Sequence, residues 1–185
     1  MNIGYRWLVA LALALLSACG EQEVAEAPTP EALTRDAMGY YCQMIVVDHH
    51  GPKAQIHLES QDDPIWFTQV RDALAFVQRP EEPKDITAIY VSDMGRAESW
   101  TDPGAGNWIE AKNAFYVIES AQRGGMGAPE AVPFAEQAAA EAFAAEHGGR
   151  VVFHADLPAH YLMAEVDEAD MERAMEQMMH DEAHQ

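Results

Sequence analysis

Basic side chains are scarce in this chain of 185 residues, which has 11 Lys and Arg against 31 Asp and Glu and a formal net charge of −20. Nucleic acids are held through clustered Lys and Arg, so this charge balance excludes most nucleic-acid-binding functions. A polybasic attachment to lipid headgroups is excluded for the same reason. Cysteine is also scarce, and two residues exclude a small scaffold held together by several disulfides.

Apolar residues, by contrast, are abundant, at 49% of the chain against 23% for charged residues. This composition is that of a folded protein, and the length allows one or two small domains with their own cores. Methionine and histidine are also frequent, with ten and eight residues in the chain. Thioether sulfur and imidazole are therefore the donor groups that this chain has in quantity.

Residues 1–18 have the pattern of a secretory signal peptide, because Arg6 precedes ten apolar residues and small residues follow. The apolar run is too short for a bilayer span, which needs about 20 residues. Residues 16–19, Leu-Ser-Ala-Cys, resemble the lipobox of bacterial lipoproteins, so we expect Cys19 to become the acylated first residue of the mature chain. The alternative is an ordinary signal sequence that contains a cysteine. Two or three acyl chains would anchor the protein to a membrane, and glycine at position 20 favours the outer membrane on its periplasmic side.

Removal of residues 1–18 would take one positive charge away and leave a mature chain with a formal charge of −21. With Cys19 acylated, Cys42 is the one remaining thiol, and no internal disulfide can form. A free cysteine in an oxidising compartment indicates reactivity or metal binding.

After the anchor, the chain is predicted to contain a solvated tether, two small α+β domains and a polar tail. The tether is rich in Glu, Ala, Pro and Thr and shows no apolar periodicity. The two domains share short segments, such as the Glu-Ser ends of 54–60 and 114–120, which favours a duplicated unit over two unrelated pieces. The predicted boundaries are 19–37 for the tether, 38–103 and 104–166 for the domains, and 167–185 for the Met- and His-rich tail.

Each domain is predicted to run strand, strand, helix, strand, which is a ββαβ unit. The helices are Ala-rich, and the last strand of each unit ends at an aspartate. The predicted elements are 40–47, 54–60, 67–76 and 89–93 in the first domain, and 108–111, 114–120, 134–143 and 152–156 in the second.

The most informative short motif is Cys42-Gln43-Met44. On the predicted strand 40–47, Cys42 and Met44 share one face, about 6.6 Å apart. A thiolate and a thioether at this spacing can bind one ion between them, and soft sulfur donors select Cu(I). Core packing is the alternative, since both residue types are frequent in cores. The export signal favours metal binding, because an unpaired thiol in an oxidising compartment is expected to have a function.

Two sulfur ligands leave the coordination of Cu(I) incomplete, so a third ligand is predicted. Met94 ranks first because it follows the last predicted strand of the same domain. His50 has the same strand parity as Cys42 and lies at the following turn, while Met126, flanked by glycines, can reach across from the second domain.

The tail repeats the same residue types. Met171, Met175 and Met178 fall on one helical face, for which packing is favoured over metal binding. His180 and His184 lie one turn apart on the opposite face, a spacing that can hold a divalent ion, although such pairs near a terminus are often incidental.

Motifs typical of catalysis are missing, since a Gly-rich phosphate loop, Cys-x-x-Cys and His-Glu-x-x-His do not occur in the sequence. A Cys42 nucleophile with His50 as its base is the enzymatic alternative, but nothing marks an oxyanion hole or a substrate pocket. The chain is therefore predicted not to be an enzyme.

Four motifs follow one another along the chain: Tyr41-Cys42-Gln43-Met44, His50-Gly51-Pro52-Lys53-Ala54-Gln55, Tyr90-Val91-Ser92-Asp93-Met94 and Gly125-Met126-Gly127-Ala128-Pro129. In this order they resemble the NosL family, lipoprotein accessory factors for nitrous oxide reductase maturation. The resemblance covers about residues 40 to 155 and includes the lipobox.

This resemblance implies two similar ββαβ domains, related to a domain of organomercurial lyase. It also implies a periplasm-facing Cu(I) chaperone that supplies copper to nitrous oxide reductase and works with an ABC-type maturation complex. The family's Cys-x-Met motif corresponds to Cys42 and Met44. Met94 and Met126 sit in family-like motifs, but their ligand role is inferred from this sequence alone.

Two other hypotheses stay open at this point. One is a lipoprotein adaptor of a periplasmic assembly complex in which Cys42 and Met44 are core residues. The other is a thiol-dependent enzyme of the organomercurial-lyase type, which would need a second thiol near Cys42.

Overall fold

The computed structural model describes residues 27–164, which contain seven β-strands and three α-helices. The signal peptide, Cys19 and the predicted tail lie outside the described residues. The strands are β1 (Ala54–Leu58), β2 (Ile65–Phe67), β3 (Ile86–Ser92), β4 (Trp108–Glu110), β5 (Phe115–Ile118), β6 (Val132–Phe134) and β7 (Arg150–Phe153), and the helices are α1 (Val70–Gln78), α2 (Gln137–His147) and α3 (Ala159–Leu162).

The strands form two antiparallel sheets of the same basic design. The first has the order β2-β1-β3-β4 and the second the order β6-β5-β7. In each sheet a short hairpin is followed by a helix and by a strand that returns to the other side of the hairpin's first strand. This repeated arrangement confirms the prediction of an α+β fold with two ββαβ units.

The prediction of a strand over residues 40–47 is wrong. Residues 38–45 form a tight turn instead, closed by an isolated bridge between Met38 and Ile45 and followed by a short 3-10 helix, Val46–Asp48. Gln43 has φ +55°, a left-handed conformation that ends any extended run at this point. Cys42 and Met44 therefore do not share a strand face.

The second strand of each unit lies where a helix was predicted to begin. The segments 65–67 and 132–134 pair with β1 and β5, and the helices start only at Val70 and Gln137. Each of these strands has only three residues, too few for an alternating pattern to separate a strand from a helix. The predicted strand near 108–111 does form, but β4 pairs with β3 in the first sheet instead of with the second unit.

Both units contribute to one hydrophobic core. Its largest cluster joins buried side chains of β1, β3 and α1 to those of β5, β7 and α3. A smaller cluster lies between the second sheet and α2 and is built around Val117, Val132, Phe134 and Ala140. Because the units share a core, residues from both can be held in a fixed relation at their junction.

A buried carboxyl group crosses this junction. Glu130 of the second unit accepts hydrogen bonds from the backbone N–H groups of Val70 and Arg71, at 3.2 and 2.8 Å, and from Ala131 at 2.8 Å. Gln69, at the N-cap of α1, makes no capping bond of its own. Glu130 thus caps the first unit's helix from the second unit, where the free N–H groups and the helix dipole favour an acceptor.

Burial raises the pKa of Glu130 to about 8, against the opposing effect of the N–H bonds. The folded protein then binds a proton that the unfolded chain, with an ordinary pKa of 4.5, has released, so stability falls as pH rises towards 8. We expect the free energy of unfolding to drop by about 2 kcal/mol between pH 6.5 and 8. Lys53, whose pKa burial lowers to about 8, acts in the opposite direction above that range.

Urea unfolding of the wild type and Glu130→Gln at both pH values measures this effect. The glutamine variant should lose about 2 kcal/mol less than the wild type over that interval, because its side chain does not titrate. An identical pH dependence in both proteins would show that Glu130 is ionised throughout.

Candidate metal site at the junction of the two units

An open cavity of about 320 Å³ lies where the turn 38–45 meets the start of α1. Cys42 lines it from the first unit, and Met126 and Ala128 line it from the second. The structure therefore brings to one cavity two sulfur-containing residues that are far apart in the sequence. The other walls include Gly39, Tyr40, Tyr41, Phe67, Thr68, Gln69 and Asp72.

Backbone hydrogen bonds fix the turn that carries Cys42. The Gly39 N–H donates to the Met44 carbonyl at 2.8 Å, and the Gln43 N–H donates to the Gly39 carbonyl at 2.8 Å. The Tyr40 N–H donates to the Trp66 carbonyl of β2 at 2.7 Å, which ties the turn to the first sheet. Cys42 and Met44 thus flank the left-handed Gln43 at the tip of a rigid turn.

The thiol of Cys42 is half-buried against the backbone of its own turn. A Cβ atom at Gly39 would lie 2.5 Å from Cys42 Sγ, so glycine is required for this close approach. Thr68 Oγ1, in the link between β2 and α1, lies 3.9 Å from Sγ. One side of the sulfur is packed, and the other faces the cavity.

Met126 lies in the loop 124–127 of the second unit, and its side chain is 42% exposed. Its backbone N–H donates to Gln69 Oε1 at 2.9 Å, and the carbonyl of Gly125 contacts His49 Nδ1 at 2.9 Å. Both bonds tie the loop to the first unit. Met126 is therefore held beside the Cys42 cavity by contacts with the unit that supplies Cys42.

The other predicted ligands lie elsewhere. Met44 is 40% exposed beyond the turn, and the exposed His50 accepts a hydrogen bond from Lys53 Nζ at its backbone carbonyl. Met94 packs against the core cluster of the second unit, where its N–H donates to the Pro133 carbonyl at 2.9 Å. In the structure of residues 27–164, these three do not line the cavity, and their ligand roles stay predictions.

Exposed apolar side chains surround the cavity mouth. Tyr40 and Tyr41 stack edge to face and donate their hydroxyl groups to the two oxygens of Glu82, at 2.9 and 2.8 Å. Burial, and after it the hydrogen bond to Glu82, raise the pKa of Tyr41. Together with Met126, the two tyrosines form an apolar rim, which we call the cavity rim.

Several residues that build the site were missed in the sequence. Thr68, Gln69 and Asp72 lie in the link to α1 or its first turn and carry no motif of their own. Gly39 lies three residues before Cys42. Only the folded turn shows that the absence of a side chain at Gly39 leaves room for Cys42 Sγ. Within 27–164, no group of three or more His, Cys, Asp and Glu side chains is placed to hold a metal, and thioethers are outside that set.

The protein is thus a small α+β protein of two ββαβ units, with a cysteine of one unit and a methionine of the other lining one open cavity. A family model described as NosL matches residues 30–162 of this chain. The chain belongs to the NosL family.

Relatives and a solved structure agree with this assignment. The chain is 51% identical to the copper-binding lipoprotein NosL of Achromobacter cycloclastes over 90% of this chain and 86% of that protein. It is 35% identical to the copper-binding lipoprotein NosL of Stutzerimonas stutzeri over 98% and 92%. The crystal structure of the copper chaperone NosL from Shewanella denitrificans aligns with a TM-score of 0.64 and 26% identity, over 70% of this chain and 95% of that one.

No helix among the described residues has the length and hydrophobicity that a membrane span requires.

Proposed function

We propose that this protein is a lipid-anchored chaperone that binds Cu(I) at the Cys42 cavity and passes it on during maturation of nitrous oxide reductase. The observation that carries the proposal is that Cys42 and Met126, from different units, line one open cavity. Relatives over most of the chain are named copper-binding lipoproteins. The function is therefore metal binding and transfer, without catalysis.

The donor set supports copper in the Cu(I) state. A thiolate and thioethers are soft ligands, which favour Cu(I) over harder divalent ions. We assign Cys42 as the anionic ligand, Met126 as the ligand from the second unit and Met44, two residues beyond Cys42, as the third. Thr68 and Gly39 pack against the thiol and limit its movement.

The exposure of the site supports release as well as binding. Met44 and Met126 are about two-fifths exposed, so an incoming ligand can bond to the metal before either thioether has left. The apolar cavity rim gives a partner protein a surface to contact around the metal. The ABC-type maturation complex and the reductase are the partners that we propose for this step.

The predicted signal peptide and lipobox support an anchored protein on the periplasmic side of a membrane, with Cys19 as the acylated residue. The composition of the segment after Cys19 supports a tether that lets the folded part reach its partners. The end of the predicted tether packs on the first unit, because Leu33 and Ala37 are buried there and the Glu31 backbone is bonded to the Gln55 side chain. Glycine at position 20 favours the outer membrane.

Competition with a chromogenic Cu(I) chelator tests the proposed function. The mature chain without lipid should take one Cu(I) from the chelator at a chelator excess that leaves free methionine unmetallated. Failure to compete would favour an adaptor that binds no metal.

The choice between Met126 and Met94 as a ligand gives a separate prediction. Met126→Leu conserves volume and removes a thioether, so Cu(I) affinity should fall about tenfold, whereas Met94→Leu should change it by less than about twofold. The same chelator competition measures both, with Met38→Leu as a matched control on the turn beside the cavity. A larger loss in Met94→Leu than in Met126→Leu would restore the ranking expected from sequence.

A further inference from the structure

We propose that Gln69 is a positioning residue that sets the affinity for copper by holding Met126 at the Cys42 cavity. The inference rests on the proposed function, since it assumes that Met126 is a ligand. Gln69 does not itself bind the metal in this proposal. It acts through the backbone of the loop 124–127.

The carboxamide of Gln69 is buried and fixed at both ends. The side chain is 2% exposed. Its Oε1 accepts the Met126 N–H at 2.9 Å, and its Nε2 donates to Asp72 Oδ2 at 3.0 Å. A backbone N–H can only donate, so the amide oxygen must face the loop and the nitrogen must face the carboxylate.

The loop lies directly on this carboxamide. A Cβ atom at Gly124 would lie 2.6 Å from both Gln69 Oε1 and Glu130 Oε2, and one at Gly125 would lie 2.8 Å from the Thr68 carbonyl oxygen. The glycines before Met126 thus let the loop contact the link between β2 and α1. The same link carries Thr68, which contacts Cys42 Sγ. One short segment therefore supports the thiol and the loop that bears the thioether.

A metal ligand on a loosely held loop binds weakly, because ordering the loop then costs free energy at the moment of binding. Leucine at position 69 would fill a similar volume but leave the Met126 N–H without its acceptor. Residues that orient a ligand in this way typically change metal affinity by about tenfold or more. We expect Gln69→Leu to weaken Cu(I) binding by about tenfold.

A double-mutant cycle on the mature chain tests the proposal, with chelator competition as the measurement. Gln69→Leu is made in the wild type and in Met126→Leu. If Gln69 acts through Met126, it should cost about tenfold in the wild type and less than about twofold in the variant that already lacks the thioether. An equal loss in both backgrounds, or no loss in the wild type, would overturn the proposal.

Exchanging the amide of Gln69 and the carboxylate of Asp72 tests whether Gln69 acts through its hydrogen bonds or only by filling space. Gln69→Glu alone keeps the acceptor for Met126 but places a second carboxylate against Asp72, so affinity should fall. Adding Asp72→Asn restores a donor and acceptor pair in reverse, and affinity should return to within about threefold of the wild type. A double variant as weak as Gln69→Glu would overturn the proposal.

These outcomes are distinct from failure of the proposed function. If the wild type does not compete for Cu(I), or if Cys42→Ala competes as well as the wild type, the copper site itself is wrong. If the wild type binds and Met126→Leu weakens it but Gln69→Leu does not, only the role of Gln69 is wrong. Should Gln69→Leu not fold, the exchange of residues 69 and 72 decides alone.

Discussion

Replacing Cys42 with alanine is expected to lower the affinity for Cu(I) by about a thousandfold or more, equivalent to about 4 kcal/mol. The thiolate is the only anionic sulfur in the proposed set, and the thioethers that remain are neutral and weaker donors. The change should leave the fold intact, because Cys42 is half-buried in a turn held by backbone hydrogen bonds that alanine keeps. Chelator competition gives the affinity, and thermal unfolding checks the fold.

Met38→Leu is the matched control for this experiment. Met38 is exposed on the same turn but does not line the cavity, so its loss should leave the affinity within about twofold of the wild type. If Cys42→Ala competed as well as Met38→Leu, the protein would not be a copper chaperone that uses this cysteine. A metal-free adaptor would then be the better account.

Replacing Glu130 with alanine is expected to lower the free energy of unfolding by about 3 kcal/mol. The substitution removes the acceptor of three backbone N–H groups, those of Val70, Arg71 and Ala131, at a site where water does not reach. Buried donors left without partners are among the costliest defects in a fold. Chemical denaturation at pH 7 measures the loss.

Glu136→Ala is the control, because Glu136 is exposed at the N-cap of α2 and makes no capping hydrogen bond. It should cost less than about 0.5 kcal/mol. A similar small loss for Glu130→Ala would show that the junction of the two units does not depend on this carboxyl group.

The repeated ββαβ design was predictable because β-branched and aromatic runs alternate with Ala-rich segments in both halves of the sequence. The turn at Cys42 was not, because residues 40–47 have the composition of a strand and only the left-handed Gln43 breaks it. The pairing of β4 with the first sheet was missed for another reason: strand partners are chosen by long-range packing, which the local sequence does not record.

The ligand types of the site were predictable from the sequence, but the residues that hold those ligands in place were not. Cys42 and Met126 stand out from sequence as a lone thiol and a methionine between glycines. Gln69 and Glu130 do not, since their side chains act on backbone groups of the opposite unit. The roles predicted for Cys19 and the tail belong to residues outside 27–164 and stay predictions.

In the proposed function, copper is held between the two units, by Cys42 from one and Met126 from the other. NMR of the mature chain with ¹³C-labelled methionine methyl groups, titrated with Cu(I), shows which thioethers bind the metal. We expect the Met44 and Met126 methyl signals to shift together and saturate at one equivalent, while those of Met38 and Met94 do not move. A Met126 signal unchanged at saturation, or a Met94 signal that shifts in its place, would contradict this proposal.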